Sequence, residues 1–159
     1  MKYNNSIAMS MHKMDLTKLL VMSVLHFIAM YILMYSMVDR IDNALPNINQ
    51  IYMAGLMTAP MIVLEVLIMK SMYTKDAINK GFIIGTAIFV LFFIAIRTQT
   101  AVNDREFLRS MIPHHSGAIL MCQKSKITDP AIKKLCQDIV VNQQSEINLM
   151  KELLSKLEK

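Results

Sequence analysis

The sequence predicts an all-α membrane protein: three transmembrane helices followed by a helical hairpin. Leu19 to Val38 runs twenty residues without a charge, and two more long apolar stretches follow before Arg97. Beyond Arg97 the chain carries the 3.6-residue apolar stripes of amphipathic helices. With 54% hydrophobic residues and a mean hydropathy of +0.38, the 159-residue chain is too apolar for an ordinary soluble protein. Its length suits a membrane anchor that carries one small domain.

The N-terminal tail, residues 1–18, carries Lys2, Lys13 and Lys18. Its Met9-x-Met11-His12-x-Met14 string resembles a copper-loading segment in composition. The spanning region covers residues 19–97, with helices expected at about 19–38, 51–69 and 82–98. The first run is too long for a cleaved signal, and no small-x-small site follows it, so it reads as an anchor. Gly55, Pro60 and Glu65 interrupt the second. The third is short and extends through the uncharged Thr98 to Val102. Lysines lie in the tail and in the second loop (Lys70, Lys75, Lys80), whereas the first loop holds only Arg40 beside Asp39 and Asp42. That bias puts the N-terminus and second loop in the cytoplasm, and the segment after Arg97 on the far side. The expected location is a bacterial inner membrane, with the C-terminal domain periplasmic or extracellular.

His26 and Glu65 are the conspicuous polar residues within the spans, and pairing across antiparallel helices would ease the burial of the carboxylate. Met22 and Met30 flank His26 by one turn each way, as Met61 and Met69 flank Glu65. Methionine filling space between helices is the simpler reading, and a thioether-lined metal path the sharper one.

Residues 98–159 read as an exported helical hairpin. Asn103 or Asp104 caps a helix running to about Lys126. Thr128-Asp129-Pro130 stops it and starts a second helix, which continues to about Leu157. The second helix's apolar stripe is Ile132, Leu135, Ile139, Met150, Leu153 and Leu157. Two helices cannot enclose a core alone. The hairpin therefore either self-associates into a four-helix bundle or docks onto the spans.

The first hairpin helix places Asp104, Phe107, Leu108, Met111, His114, His115, Ala118, Met121 and Cys122 on one expected inward arc. Imidazole and thioether together suit a soft or borderline metal, copper above all. Across the hairpin, Gln143 and Glu146 stand in the apolar stripe one turn before Met150, where a carboxylate and an amide need partners. The expected metal set is His114, His115, Met111, Met121, Met150 and Glu146, with Gln143 and Asp104 supporting it. Copper, as Cu(I) or Cu(II), is the expected ion and zinc the other candidate. Pro113 reads either as a tolerated kink or as the device that presents both histidines. Cys122 and Cys136 lie almost symmetrically about the turn. They read as a disulfide, as two inert thiols, or as a source of one thiolate ligand.

Asp104-x-x-Phe107-x-x-x-Met111-Ile112-Pro113-His114-His115-x-Gly117-Ala118-Ile119 resembles the signature of the domain-of-unknown-function 305 family. Asp138 to Glu146-Ile147-x-x-Met150 resembles its second signature. The resemblance implies a ferritin-like helical bundle, export, and an association with copper, carried by Met111, His114, His115, Met121, Gln143, Glu146 and Met150. The chain departs from the family in having Ser116 where glutamine is common, in its three preceding spans, and in a single copy of the hairpin. That single copy points to a homo-oligomer. Glu146 is followed at plus three by Leu149, which argues against a di-iron centre.

Several function classes fall away. The net charge of +5 includes no basic block interleaved with aromatics, so no nucleic-acid partner is expected. Nothing supplies a nucleophile or an oxyanion site, so an enzyme ranks last. What remains is a membrane-anchored extracytoplasmic protein that sequesters or buffers copper. The alternative is a structural module whose buried His/Gln/Glu network fixes an oligomer.

Overall fold

The computed structural model describes residues 16–158. The Met9–Met14 string and most of the expected tail lie outside the described residues. The helices are α1 (Leu16–Leu33), α2 (Ile48–Ile68), α3 (Lys75–Thr98), α4 (Asp104–Lys124) and α5 (Pro130–Leu157), with short 3-10 turns at Met34–Met37 and Ile41–Asn43. No strand occurs among the described residues.

Three of these helical runs, Thr17–Met37, Ile48–Ile68 and Lys75–Thr98, are long and apolar enough to cross a membrane. The third starts at Lys75 rather than Phe82. Thr74 caps it, its hydroxyl accepting from the Ala77 amide at 3.2 Å. An Asp76–Lys80 pair one turn apart, at 2.8 Å, supports the polar first turns.

The chain divides into two compact units. One comprises the chain up to Met30 together with Met53–Ala95, and the other Tyr31–Tyr52 together with Ile96–Lys159. In the first, Leu19, Ile62, Val66, Tyr73 and Ala77 form the core. Small residues let these helices approach: a Cβ on Gly85 would lie 2.9 Å from Val63 and 3.3 Å from the Ala59 carbonyl. Their outer faces carry exposed Leu20, Ile28, Ile83 and Leu91.

In the second unit α4 and α5 pack around Leu108, Ile112, Ile119, Ile147, Met150 and Leu154, with Leu45, Met111 and Val140 against them. Burying each of these aliphatic side chains favours folding by roughly 1.5–3 kcal/mol. The buried face of α4 is turned by roughly a quarter of the circumference from the expected arc. Ile112, Ser116 and Ile119 are buried, whereas Phe107, His114 and Met121 are exposed. The cause is a second packing partner. The 31–52 segment covers the side of α4 next to the α5 contact, through Leu45 in the core and the Met37 carbonyl against Gly117. On α5, likewise, only Met150 of the expected stripe is fully buried. Ile147 and Leu154 take the inner face, while Ile132, Leu135, Leu153 and Leu157 are exposed.

Candidate functional site

Local sequence fixes the frame of the hairpin. Asn103 caps α4, its side chain accepting from the Glu106 amide at 3.0 Å. Asp129 caps α5, accepting from Ala131 at 2.8 Å and Ile132 at 3.0 Å, with Pro130 in the first turn. Helix α4 continues unbroken through Pro113 and ends at Lys124. Two devices close the hairpin. At the turn Cys122 and Cys136 form a disulfide, with Cα atoms 5.2 Å apart. Neither sulfur is therefore a thiolate available to a metal. At the open end Glu158 meets Arg105 at 2.9 Å and Arg109 at 3.4 Å. The Arg105 hydrogen bond leads in holding the Glu158 carboxyl below its ordinary range.

This frame places His115 of α4 against Glu146 of α5. His115 Nε2 lies 2.7 Å from Glu146 Oε2, and its Nδ1 lies 2.9 Å from the Met111 carbonyl. A carbonyl oxygen only accepts, so Nδ1 carries a proton. In the neutral ring Nε2 is then a lone pair facing a carboxylate oxygen. Two acceptors at 2.7 Å require a proton between them, and a metal ion would take its place only with the pair moved apart. The His115 side chain is 11% exposed and that of Glu146 is 54%, so the contact is sheltered on one side and open on the other.

Other expected ligands divide. Met150 is buried in the hairpin core and Met111 packs against the same cluster. His114 is exposed, its ring 6.0 Å from that of His115, centre to centre. Met121 is 53% exposed and Asp104 is also exposed. Gln143 is half-buried, and no hydrogen bond is described between it and either histidine. Among the described residues no group of three or more His, Cys, Asp and Glu side chains converges as a metal site.

A second polar set was missed by the sequence reading. Ser116 is fully buried; its hydroxyl donates to Asp39 Oδ1 and accepts from the Asp39 amide at 2.8 Å. Asn43 donates to the same carboxylate at 2.9 Å. Glu106 accepts from the Ile48 amide at 2.9 Å at the start of α2, and Lys151 reaches Asp42 at 2.9 Å. That lysine's hydrogen bond leads in lowering the Asp42 carboxyl below its ordinary range. One signal was present: Ser116 stands where the resembling family has glutamine, a longer side chain than this contact admits.

Beside the apolar helices Glu65 Oε1 accepts from the Tyr73 hydroxyl at 2.5 Å, and no hydrogen bond joins Glu65 to its expected partner His26 among the described residues. The turn after α2 brings the phenol back to the carboxylate only eight residues later. His26 and Glu65 nevertheless line one cleft.

The family described as Domain of unknown function (DUF305) matches residues 94–154. Uncharacterized protein L153 of Acanthamoeba polyphaga mimivirus is 36% identical over 146 residues, covering 90% of this chain and 95% of the relative. A likeness of that extent takes in the apolar helices as well as the hairpin. No solved structure matches the chain.

Proposed function

This chain belongs to the DUF305 family, and on that premise we propose that it is a membrane-anchored protein that binds and buffers copper through its hairpin. One observation carries the reading. His115 Nε2 and Glu146 Oε2 are two electron-pair donors held 2.7 Å apart, on opposite helices and at an accessible edge. Donors that bind one ion at ~2.0–2.2 Å each sit about 3.3–3.6 Å apart in a tetrahedral shell. The pair would therefore open by about 0.6–0.9 Å to admit a metal in place of the proton, a movement the exposed Glu146 side chain allows. Met111 stands one turn before His115 and Met150 one turn after Glu146, both in or against the hairpin core, and His114 supplies an exposed imidazole next to His115.

With only His115 and Glu146 converging as nitrogen and oxygen donors among the described residues, the set favours copper over zinc. Zinc sites use three or four His, Cys or carboxylate ligands, whereas Cu(I) accepts thioethers. Bound copper would here be held rather than turned over, since no substrate-activating group accompanies it. The exposed stripe of Phe107 and Met121 on α4, with Leu135, Leu149 and Leu153 on α5, supports pairing of two hairpins into a four-helix bundle.

Three features support a membrane setting with the hairpin on the side opposite the tail: the lysine distribution, the Asp39–Ser116 and Asp42–Lys151 contacts, and the disulfide. A first loop bonded to the hairpin shares its side of a bilayer, and disulfides persist outside the cytosol. The bacterial inner membrane expected from the sequence fits this arrangement, while the mimivirus relative favours no membrane in particular.

A second reading has its own support. The His115–Glu146 bond is already a closed polar pair and could serve to fix hairpin register without metal. Anaerobic Cu(I) titration of the full chain against a chromophoric chelator separates the two. Buffering predicts that His115→Ala with Glu146→Gln removes one tight equivalent. An unchanged titration, accompanied by loss of the oligomer, would sink the copper reading in favour of the network.

A further inference from the structure

The apolar helices hold a second cluster of donors that the hairpin reading does not use. A cleft of about 370 Å³ in this unit is lined by Met22, Ser23 and His26 of α1 and Thr58, Met61 and Glu65 of α2, among others. Met22 and His26 are one turn apart on α1, as Met61 and Glu65 are on α2, so each pair stacks on one helix face. The hydroxyls in the lining are already committed to their own helices. Ser23 donates to the Leu19 carbonyl at 2.7 Å, and Thr58 to the Ala54 carbonyl at 2.8 Å.

One oxygen of Glu65 takes the Tyr73 hydroxyl, and its other oxygen has no hydrogen bond among the described residues. His26 has no described hydrogen bond, and neither lysine nor arginine lines the cleft. The cleft thus presents an imidazole, two thioethers and a carboxylate oxygen, with no cation of the protein's own to meet them.

Ionisable groups at this depth of an apolar span are costly and are retained where they handle ions or protons. Imidazole and thioethers beside a single carboxylate suit an ion of low charge, and thioether with imidazole selects a soft one. We propose that this cleft is a binding site for a soft monovalent cation, Cu(I) or its analogue Ag(I), separate from the hairpin.

The test uses the full chain in nanodiscs carrying His115→Ala and Glu146→Gln, so that the hairpin's contribution is gone. Anaerobic titration with Ag(I), and with Cu(I) against a chromophoric chelator, should show a further equivalent. Adding His26→Leu and Met61→Leu should weaken that equivalent at least about tenfold for the loss of two donors. Met61→Leu alone conserves volume, so it must weaken binding even if the double change disturbs the fold. Ser23→Ala removes a hydroxyl turned to its own helix and should leave the affinity unchanged. If no equivalent remains in the hairpin variant, or if it survives both the His26→Leu and Met61→Leu changes, the intramembrane site is overturned. The hairpin reading fails on a different result, namely full copper capacity after loss of His115 and Glu146.

Discussion

Leu91 in α3 and Leu149 in α5 are both more than half exposed, at 64% and 55%, yet their exposure has different consequences. Leu91 belongs to a helix that is apolar on every side and packs through small residues, with Gly81 and Gly85 buried. Such a helix needs an apolar solvent, and a bilayer supplies one. Leu149 belongs to an amphipathic helix whose inner face is already filled by Ile147, Met150 and Leu154. With Leu153 and Leu157 it recurs at every fourth residue, an apolar row that water would leave uncovered. The same degree of exposure therefore points to lipid in one unit and to a protein surface in the other.

The sharpest way to break that comparison is to change neighbours on α5. Ile147 is fully buried, and Ile147→Ala should cost about 2–5 kcal/mol in chemical denaturation of the hairpin. Leu149→Lys, two residues away, should change that stability by no more than about 0.5 kcal/mol. It should instead shift the protein to a smaller species in concentration-dependent light scattering. Equal destabilisation by both changes would show that the exposed row already has a partner within the chain.

Next in size is the cross-link. Reducing Cys122–Cys136, or replacing both by serine, opens a loop between residues 14 apart and should lower hairpin stability by about 3 kcal/mol. The apolar helices contain no cysteine, so their thermal signal should not respond to reductant.

Ser116→Gln restores the residue common in the resembling family and should destabilise by about 1–3 kcal/mol, because the longer side chain has no room against Asp39. A neutral outcome in thermal melts would mean that the 31–52 segment does not hold to α4 in solution.

The unequal legibility of this chain has a physical origin. The three apolar runs and both hairpin caps were readable because each depends on residues close in sequence, such as Asn103 with Glu106 and Asp129 with Pro130. His115 opposite Glu146 was readable because the turn at Asp129 fixes the register of two antiparallel helices. The rotation of α4 was not, because it depends on Asp39 reaching Ser116 across 77 residues. The apolar periodicity of one helix carries no trace of a second partner arriving from a distant loop. The sequence pattern puts Phe107, His114 and Met121 inward for that reason, whereas all three are exposed. The Tyr73 hydroxyl finds Glu65 on a similar footing, through a turn that hydropathy reads only as a connection.

The smallest expected effect tests the same 31–52 contact through its charges. Lys151 holds the Asp42 carboxyl below its ordinary range, and both groups are at the surface. A carboxyl lowered by folding stabilises the native state fully above its unfolded value of about 3.9. That contribution disappears as pH falls through the lower folded value. Between pH 5 and 8 the contact should therefore be indifferent to pH, and it should weaken only in acid. Glu158 beside Arg105 and Glu152 beside Lys156 are lowered in the same direction, so the acid limb of the parent protein mixes all three. Asp42→Asn isolates one of them. Its melting midpoint should fall below the parent's by roughly 1–2 °C at most near neutrality. The gap should close as pH drops below about 4, where the parent loses the pair as well. A gap that persists in acid would mean that the Lys151 contact acts through packing of its aliphatic stem rather than through charge.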